Sequence, residues 1–323
     1  MNLVNLVLSL LLPQFFLAIH QIFCNNTTTY LINRRRVSNP DLPDKRFGEF
    51  GQIEFMRYAL IGLKRLKEYE MISCDYHIHT QLSGCADNEL SVKKIIQFQQ
   101  DLGIEAIGIT DHDYSYKSKV KTIQAAQQAI KEADPAIKVH FGVESQMLEY
   151  QVTSITIRLA SYFDYVLMAP NHYHLRGIAQ PRSFRDPRRV ALHEIYMFEA
   201  AIACPLTDAV VHPFLLSPRV FQFSAEEIAA FGQEMMRNIE QKRLLYQLDL
   251  VSQRGLGIEI SPKMVRYNQL HLVEFYKLCL ERDVKLLIGS DAHNLKQLEE
   301  LSLLAPILEE LGVTEEHLWH PKE

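Results

Sequence analysis

Short β-rich runs alternate with longer amphipathic stretches from Ser73 towards the end of the chain. The short runs predict seven strands: Ser73–Ile78, Ala106–Thr110, Lys138–Val143, Tyr165–Ala169, Ala209–Val211, Gly257–Ile260 and Lys285–Ile288. The longer stretches have apolar residues at helical spacing and predict helices between them: Leu90–Leu102, Val120–Ala133, Val190–Ala203, Ala225–Gln253 and His271–Glu281. This alternation implies an α/β fold with parallel strands joined by crossover helices.

The pattern before Ser73 is different. Leu3–Phe23 is almost wholly apolar, and residues 25–51 are polar and rich in Asn, Thr, Arg, Pro and Asp, as in a linker. Residues 56–69 have helical spacing and basic side chains, which predicts a short leading helix. We therefore divide the chain into an apolar segment at 1–24, a linker and short helix at 25–72, and one α/β domain at 73–323.

Three interpretations of the apolar segment stay open: a signal sequence, a membrane anchor, or an upstream extension with Met56 or Met71 as the native start. No Lys or Arg precedes the run, which argues against a signal sequence. Arg34-Arg35-Arg36 follows it and would keep the downstream part in the cytoplasm. We expect a cytoplasmic protein, tethered to the membrane and facing the cytoplasm if the anchor is genuine. Any membrane association would come through residues 3–23.

Composition narrows the class of protein only slightly. The 323 residues are 47% hydrophobic and 23% charged, with a net charge of -5. This composition is ordinary for a soluble protein. It lacks the strong positive net charge of a protein that binds nucleic acid through its overall electrostatic field. The five cysteines are scattered without a CxxC pair, which argues against a disulfide framework.

Metal-ligating residue types stand at or just beyond the end of nearly every predicted strand. In chain order they are His77 and His79, Asp111 and His112, Glu144, His172, His212, Glu259, and finally Asp291 with His293. In an α/β barrel the carboxyl ends of the strands meet on one face. Residues more than two hundred positions apart would therefore meet in one pocket.

Each motif is weak alone, because single histidines at strand ends are commonly core or loop residues. Jointly they are stronger, since six of the 13 histidines follow successive strands. His77 and His79 are two apart on a strand and so point to the same side. The mixture of imidazole and carboxylate suits Zn, Mn or Fe, and exceeds what one tetrahedral ion needs. We expect two or three divalent metal ions.

Five motifs in order resemble the PHP (polymerase and histidinol phosphatase) family over about Ser73–Leu311. They are Asp75-Tyr-His77-Ile-His79-Thr80, Ile109-Thr110-Asp111-His112, Gly142-Val143-Glu144, Val211-His212-Pro213 and Gly289-Ser290-Asp291-Ala292-His293. The resemblance implies a distorted seven-stranded (β/α)7 TIM-like barrel whose metal centre hydrolyses phosphate esters. The ligands it implies are His77, His79, His112, Glu144, His172, His212, Asp291 and His293.

Two positions of this implied centre are ambiguous. Either His172 or His174 could occupy the ligand position after the fourth strand, and we favour His172. Family members place a His or Asp a few residues after the HxHT element, where this chain has Leu82-Ser-Gly-Cys85-Ala-Asp87. We take Asp87 as the missing ligand ahead of Cys85, or else the centre has one ligand fewer. A thiolate would favour Zn.

The expected reaction is attack of a metal-activated hydroxide on a phosphate ester, with Asp291, His212 and His293 as the catalytic residues. His212 or His293 would protonate the leaving oxygen. Arg176 and Arg182 belong to an arginine-rich segment beside His172 that is either a solvated surface loop or a site that binds the substrate phosphate. Guanidinium groups bind phosphate in a bidentate manner, as the second interpretation requires.

The expected substrate is a phosphomonoester such as a sugar phosphate or a nucleotide. A nuclease or phosphodiesterase acting on short oligonucleotides is the main alternative, without a stable nucleic-acid complex. A non-catalytic metal-binding module and an amidohydrolase are further alternatives. The fourth strand offers no lysine for the carbamate bridge of an amidohydrolase.

Overall fold

The computed structural model of the protein describes residues 72–117, 119–133 and 135–322. The apolar segment at 1–24 and the linker up to residue 71 lie outside the described residues, so the predictions made for them stay predictions. Within the described part of the chain, no helix combines the length and apolar character needed to cross a membrane.

The strands of the described residues form two sheets, one of order β1-β2-β3 and one of order β5-β4-β6-β7-β8-β9. Their bounds are β1 Cys74–Ile78, β2 Ala106–Ile109, β3 Lys138–Phe141, β4 Val143–Glu149, β5 Val152–Thr153, β6 Val166–Ala169, β7 Ala209–Val210, β8 Gly257–Ile260 and β9 Lys285–Ile288. All neighbouring pairs are parallel except β4 and β5, which form an antiparallel hairpin. The α/β fold with parallel sheets that the sequence predicts is confirmed.

Helices connect successive parallel strands. The α-helices of the described residues are α1 Val92–Asp101, α2 Asp113–Tyr116, α3 Val120–Ala133, α4 Ile157–Ala160, α5 Pro187–Ala203, α6 Pro218–Phe221, α7 Ala225–Arg237, α8 Gln241–Arg254, α9 Lys263–Arg266, α10 Val273–Glu281, α11 Leu295–Glu299 and α12 Ala305–Leu311. Short 3-10 helices occupy Gln81–Ser83, Leu270–Leu272, Glu300–Leu304 and Glu315–His317. The strands are buried almost throughout, because helices cover the sheets.

The sequence predicts one helix over Ala225–Gln253, and the structure has two. The side-chain amide of Asn238 donates to the carbonyl oxygen of Glu234 at 2.8 Å. This bond satisfies a carbonyl of the last turn of α7, so the helix ends without an αL glycine. The apolar spacing continues through the break, and periodicity alone therefore misses it.

The predicted third strand, Lys138–Val143, is interrupted at Gly142. β3 pairs with β2 before this glycine, and β4 pairs with β6 after it, so the chain passes here from one sheet to the other. β4 then continues to Glu149, which the sequence analysis does not predict. Glu144 consequently lies near the start of a strand instead of following its end.

Single parallel bridges connect the two sheets at both of their junctions. Ile78 pairs with Ala292 beyond β9, and His112 beyond β2 pairs with Glu144 in β4. Both bridges lie at the carboxyl ends of β1 and β2, so they draw the segments that carry His77, His112 and Asp291 together.

Tyr165 fills the space beneath these strand ends. A Cβ atom at Gly108 would lie 1.7 Å from the Tyr165 hydroxyl oxygen, and one at Gly142 would lie 2.6 Å from its Cζ atom. The hydroxyl donates a hydrogen bond to the backbone oxygen of Tyr76 at 2.6 Å. Gly108 in β2 and Gly142 between β3 and β4 are therefore needed so that one buried tyrosine can tie β1 to the start of β6.

Candidate metal centre

Eight of the nine residues predicted as metal ligands lie together, seven of them at or beyond the carboxyl ends of strands and Glu144 near the start of β4. We call them the ligand cluster: His77, His79, His112, Glu144, His172, His212, Asp291 and His293. They are mostly buried, and His293 is the most open, with 26% of its side chain exposed. Parallel strands explain the convergence, because all of them present their carboxyl ends to the same face.

Glu144 lies at the middle of the ligand cluster. Its Oε2 atom is 3.0 Å from His112 Nδ1, 3.2 Å from His79 Nε2 and 3.4 Å from His77 Nε2. Its Oε1 atom is 3.2 Å from His172 Nε2 and 3.0 Å from His212 Nε2. Burial alone would raise the pKa of Glu144, yet the neighbouring imidazoles hold that pKa well below its usual range.

The buried Oε2 atom of Glu144 nevertheless has no hydrogen bond of acceptable geometry. The three ring nitrogens around it are close, but they are not aligned as donors. A buried carboxylate oxygen left in this way is unfavourable unless another partner satisfies it. Several nitrogen lone pairs and an unpartnered carboxylate oxygen directed at one space are the donor set of a divalent transition metal.

The outer nitrogens of three rings are held by fixed acceptors. His77 Nδ1 lies 2.6 Å from Glu259 Oε1, His212 Nδ1 lies 3.0 Å from Asn171 Oδ1, and His293 Nδ1 lies 2.9 Å from the Asp291 backbone oxygen. An acceptor at Nδ1 keeps the proton there and leaves the Nε2 lone pair free for a metal. From the sequence, Glu259 stands only among the metal-ligating residue types at the strand ends, and no role is predicted for Asn171.

Glu259 connects two histidines of the ligand cluster, His77 and His212. It accepts from the His212 backbone N–H at 2.7 Å as well as facing His77, and it is fully buried. Burial would raise the pKa of Glu259, but the positive field of His77 and the hydrogen bond between them lower it. Burial likewise lowers the pKa of His77, but Glu259 and Glu144 outweigh it and raise that pKa to about 9. In the absence of metal, His77 therefore carries a proton that a bound ion would replace.

Two ligands have left-handed backbone conformations. The φ angle is +38° at His212 and +48° at Asp291, a region that side chains other than glycine rarely adopt. The Glu259 carboxylate holds the His212 N–H, and the His77 backbone oxygen accepts from the Asp291 N–H at 2.8 Å. The turn brings Asp291 Oδ1 to 3.2 Å from His79 Nε2.

Lys263 forms an ion pair with Asp291 through Oδ2, and only 14% of its side chain is exposed. Burial lowers the pKa of Lys263 to about 8, although Glu259 and Glu144 oppose that shift. The lysine lies in α9, just beyond β8. Its position shows that positive charge reaches the edge of the ligand cluster.

Cys85, and not Asp87, enters the neighbourhood of the cluster. The ligand atoms of His79, Cys85, His112 and His293 all lie within 4.8 Å of one another. The Asp87 side chain is exposed, and the residue contacts the cluster through its backbone N–H, which donates to the His293 backbone oxygen at 2.9 Å. Among the described residues Asp87 belongs to no such group, so the geometry favours Cys85 over Asp87, and the ligand at this position stays a prediction.

Burial would raise the pKa of the Cys85 thiol, but hydrogen bonding with His112 and His293 outweighs it and lowers that pKa to about 4. Two further groups of ligand atoms at this spacing are His77, His79 and Glu144, and His112, Glu144 and His172. His79, His112 and Glu144 are each shared by two groups. The described residues thus offer adjacent, overlapping sites instead of one isolated ion site.

The remaining residues predicted for the site lie at the margin of the ligand cluster or on the loop beside it. His172 reaches Glu144, whereas His174 is exposed, which supports the choice of His172. Arg176 and Arg182 are exposed on the loop between β6 and α5 that begins beside His172. Their role in phosphate binding stays a prediction.

Asp111 directly precedes His112 in the sequence but is not a member of the ligand cluster. Its carboxylate accepts from the backbone N–H and the hydroxyl of Thr80, both at 2.6 Å, and from the Tyr116 hydroxyl at 2.9 Å. These bonds tie the loop after β1 to the end of β2. The aspartate therefore positions His79 and His112 through the backbone.

Comparison with known proteins gives one family and a shared fold. The family model of the PHP domain matches residues 75–263, more than half of the chain. A protein of Listeria monocytogenes assigned as the histidinol phosphatase HisK is similar in structure, with a TM-score of 0.50 and 11% identity, over 70% of this chain and 97% of that one. The histidinol phosphate phosphatase of Lactococcus lactis subsp. lactis Il1403, solved with zinc, L-histidinol and phosphate, has a TM-score of 0.48 and 14% identity, over 75% of this chain and 95% of that one. No curated protein matches the chain in sequence.

Proposed function

The chain belongs to the PHP domain family, and we propose that it is a metal-dependent phosphoesterase that hydrolyses a small phosphomonoester such as a sugar phosphate or a nucleotide. The observation that carries this proposal is the unpartnered Oε2 atom of buried Glu144, which three ring nitrogens approach within 3.4 Å. A divalent ion between this oxygen and the rings would satisfy all of these groups at once.

The ligand cluster would hold two or three divalent ions. Glu144 is shared by two of the grouped sites, as expected of a carboxylate that bridges adjacent ions. Asp291 and His293 would supply further ligands from the segment after β9. When bound, such ions lower the pKa of a coordinated water and neutralise charge on the phosphoryl oxygens.

The chain's own residues would orient and bind the substrate around that centre. The acceptors at Nδ1 of His212 and His293 favour a ligand role for both rings over the proton donation expected from the sequence. Lys263 would contact a phosphate oxygen from the edge of the cluster, where its ammonium group already neutralises Asp291. Arg176 and Arg182, exposed on the loop beside His172, would hold the same phosphate from the solvent side.

The parallel strands of the two sheets would close into the distorted barrel that the sequence resemblance implies. The bridges Ile78–Ala292 and His112–Glu144 at the two junctions of the sheets support this arrangement. Closure would account for the convergence of ligands from both sheets on one space.

The test compares Asp291→Asn with Asp249→Asn, a matched change at an aspartate that pairs with Arg282 in an exposed ion pair. Both variants and the wild-type protein are assayed on phosphomonoesters, phosphodiesters and oligonucleotides with Zn or Mn added. Metal-ion catalysis contributes several kcal/mol, so we expect about a thousandfold loss of kcat for Asp291→Asn and wild-type rates for Asp249→Asn.

The outcomes separate the activity from the substrate class. Wild-type activity in Asp291→Asn, or no phosphoesterase activity in the wild-type protein with either metal, would overturn the proposal. Faster hydrolysis of diesters or oligonucleotides than of monoesters would replace the substrate class and leave metal-dependent phosphate ester hydrolysis intact.

A further inference from the structure

The loop after β1 turns back on itself and returns Cys85 to the ligand cluster. Thr80 caps the 3-10 helix Gln81–Ser83, with its side chain accepting from the Leu82 N–H. Gly84 then has a φ of +75°, a left-handed conformation that glycine adopts without strain. The reversal places the Cys85 Sγ atom 3.3 Å from the Ser83 hydroxyl oxygen.

The same serine links this thiol to a metal ligand. Ser83 Oγ lies 3.2 Å from His79 Nδ1, so Cys85 and His79 share one hydroxyl contact. The far end of the loop is held by the Asp87 N–H, which donates to the His293 backbone oxygen. Cys85 is thus held between His79 on one side and the His293 segment on the other.

The ligand atoms around this thiol have the number and spacing of a closed metal site. His79, His112 and His293 supply three nitrogens, and all four ligand atoms lie within 4.8 Å of one another. Zinc is bound at about 2.3 Å by sulfur and about 2.0–2.1 Å by nitrogen in tetrahedral sites. Ligands of one ion then lie roughly 3.3–3.7 Å apart, so only a small closure of these side chains is required.

A second observation points to the same space. The unpartnered Oε2 atom of Glu144 belongs to a side chain that is 1% exposed, and it lies 3.0 Å from His112 and 3.2 Å from His79. Two of the four thiol-site ligands thus also face the bridging carboxylate. An ion at Cys85 would be adjacent to the ion that His77 and Glu144 would hold, and both would belong to one centre.

Resting on the metal-dependent function proposed above, we propose that Cys85 is a thiolate ligand of one ion of the centre, in a site formed with His79, His112 and His293, and that this ion is zinc. Thiolates are soft ligands that select zinc over manganese and magnesium, which prefer oxygen. The other ion of the centre, held by imidazole and carboxylate, has no such selectivity. The two sites of the centre therefore differ in selectivity, and manganese should bind weakly at the site that contains Cys85.

The test titrates metal-free protein with Co²⁺ and records the near-ultraviolet charge-transfer absorption that a thiolate–cobalt bond produces. The wild-type protein should show this band, and Cys85→Ser should lose it, together with at least a tenfold loss of zinc affinity at one site. Asp87→Asn is the matched control for the rival ligand, and Cys24→Ser controls for the thiol outside the described residues. Both controls should keep the band, because the proposed site uses neither Asp87 nor Cys24. Cys74, Cys204 and Cys279 are buried and lie outside that site.

A rescue variant distinguishes ligation from a structural role. Cys85→His should restore the number of bound zinc ions without the charge-transfer band, whereas a merely structural cysteine would not be replaced by histidine in this way. Iodoacetamide should modify the wild-type thiol at least tenfold more slowly after zinc is added.

The results also separate this inference from the proposed function. A band and ion count retained in Cys85→Ser, or a band lost in Asp87→Asn instead, would overturn the thiolate assignment while phosphoesterase activity stands. A wild-type protein that binds no ions and hydrolyses no phosphate ester would overturn both.

Discussion

Glu259→Gln should weaken metal binding in a manner that depends on pH. The change keeps the size of the side chain but removes the charge that faces His77 Nδ1 at 2.6 Å. Changes to residues that orient metal-ligating histidines typically reduce metal affinity 10- to 100-fold, which is about 1.4–2.8 kcal/mol. The His212 N–H also loses a charged acceptor, so both ligands are held less firmly.

The sign of the pH dependence follows from the proton on His77. In the wild-type protein Glu259 and Glu144 raise the pKa of His77 to about 9 against the effect of burial, so below pH 9 a metal ion must displace a proton. Between pH 9 and pH 7 this competition reduces affinity about tenfold per pH unit. Without the Glu259 charge, the pKa of His77 falls and the competition weakens. The loss of affinity should therefore be largest at pH 9 and smaller at pH 7.

Competition with a chromogenic zinc chelator at pH 7, 8 and 9 measures both quantities, and calorimetry in buffers of different ionisation enthalpy counts the protons released. The wild-type protein should release about one proton more per centre at pH 7–8 than Glu259→Gln does. Glu199→Gln is the control, because that carboxylate pairs with Arg243 outside the cluster. Equal zinc affinities and equal proton release in wild-type protein and a folded Glu259→Gln variant would refute the reasoning.

Three further outcomes are expected. Gly289→Ala would place a Cβ atom against Glu259 Oε1 and 2.7 Å from His77 Cβ, so it should displace both side chains and reduce zinc affinity about tenfold or more. Unchanged zinc affinity in a folded Gly289→Ala variant would contradict this. Burial raises the pKa of Glu194 to about 7, so its stabilising contribution is complete below about pH 4.5 and is lost as the pH rises through 7. Chemical unfolding should show a loss of about 2 kcal/mol between pH 5.5 and 8.5 that is absent in Glu194→Gln, and the same pH profile in both proteins would count against it. Arg176→Ala and Arg182→Ala should raise KM for phosphomonoesters about tenfold without changing the number of bound ions, and an unchanged KM would remove both residues from the phosphate site.

Most of the strand framework is predictable from the sequence, because each strand is a short buried run with a recognisable end. The ligands after β1, β2, β7 and β9 follow from that framework, since parallel strands bring their carboxyl ends to one face. The break in the third predicted strand at Gly142 cannot be predicted from the apolar pattern. This glycine interrupts an apolar run without changing the apolar pattern, so the passage of the chain between two sheets leaves no periodic signal.

The supporting residues of the site are harder to predict than its ligands. Asn171 and Glu259 act through contacts with rings that are 41 and 182 positions away in sequence. Asp87 has the more usual ligand type for its position, but the left-handed turn at Gly84 directs Cys85 to the cluster. Sequence spacing identifies residue types, whereas the direction of a side chain in an irregular loop depends on backbone angles.

The left-handed backbone at His212 and Asp291 sets stability and metal binding against each other. Such conformations are unfavourable by about 1–3 kcal/mol for residues other than glycine, yet glycine has no side chain with which to bind an ion. Natural or laboratory selection for thermal stability alone should therefore discard these two residues early, through replacement by glycine or asparagine. Selection that also requires a bound metal should retain them, so the substitutions tolerated at these two positions would reveal which pressure a lineage has experienced.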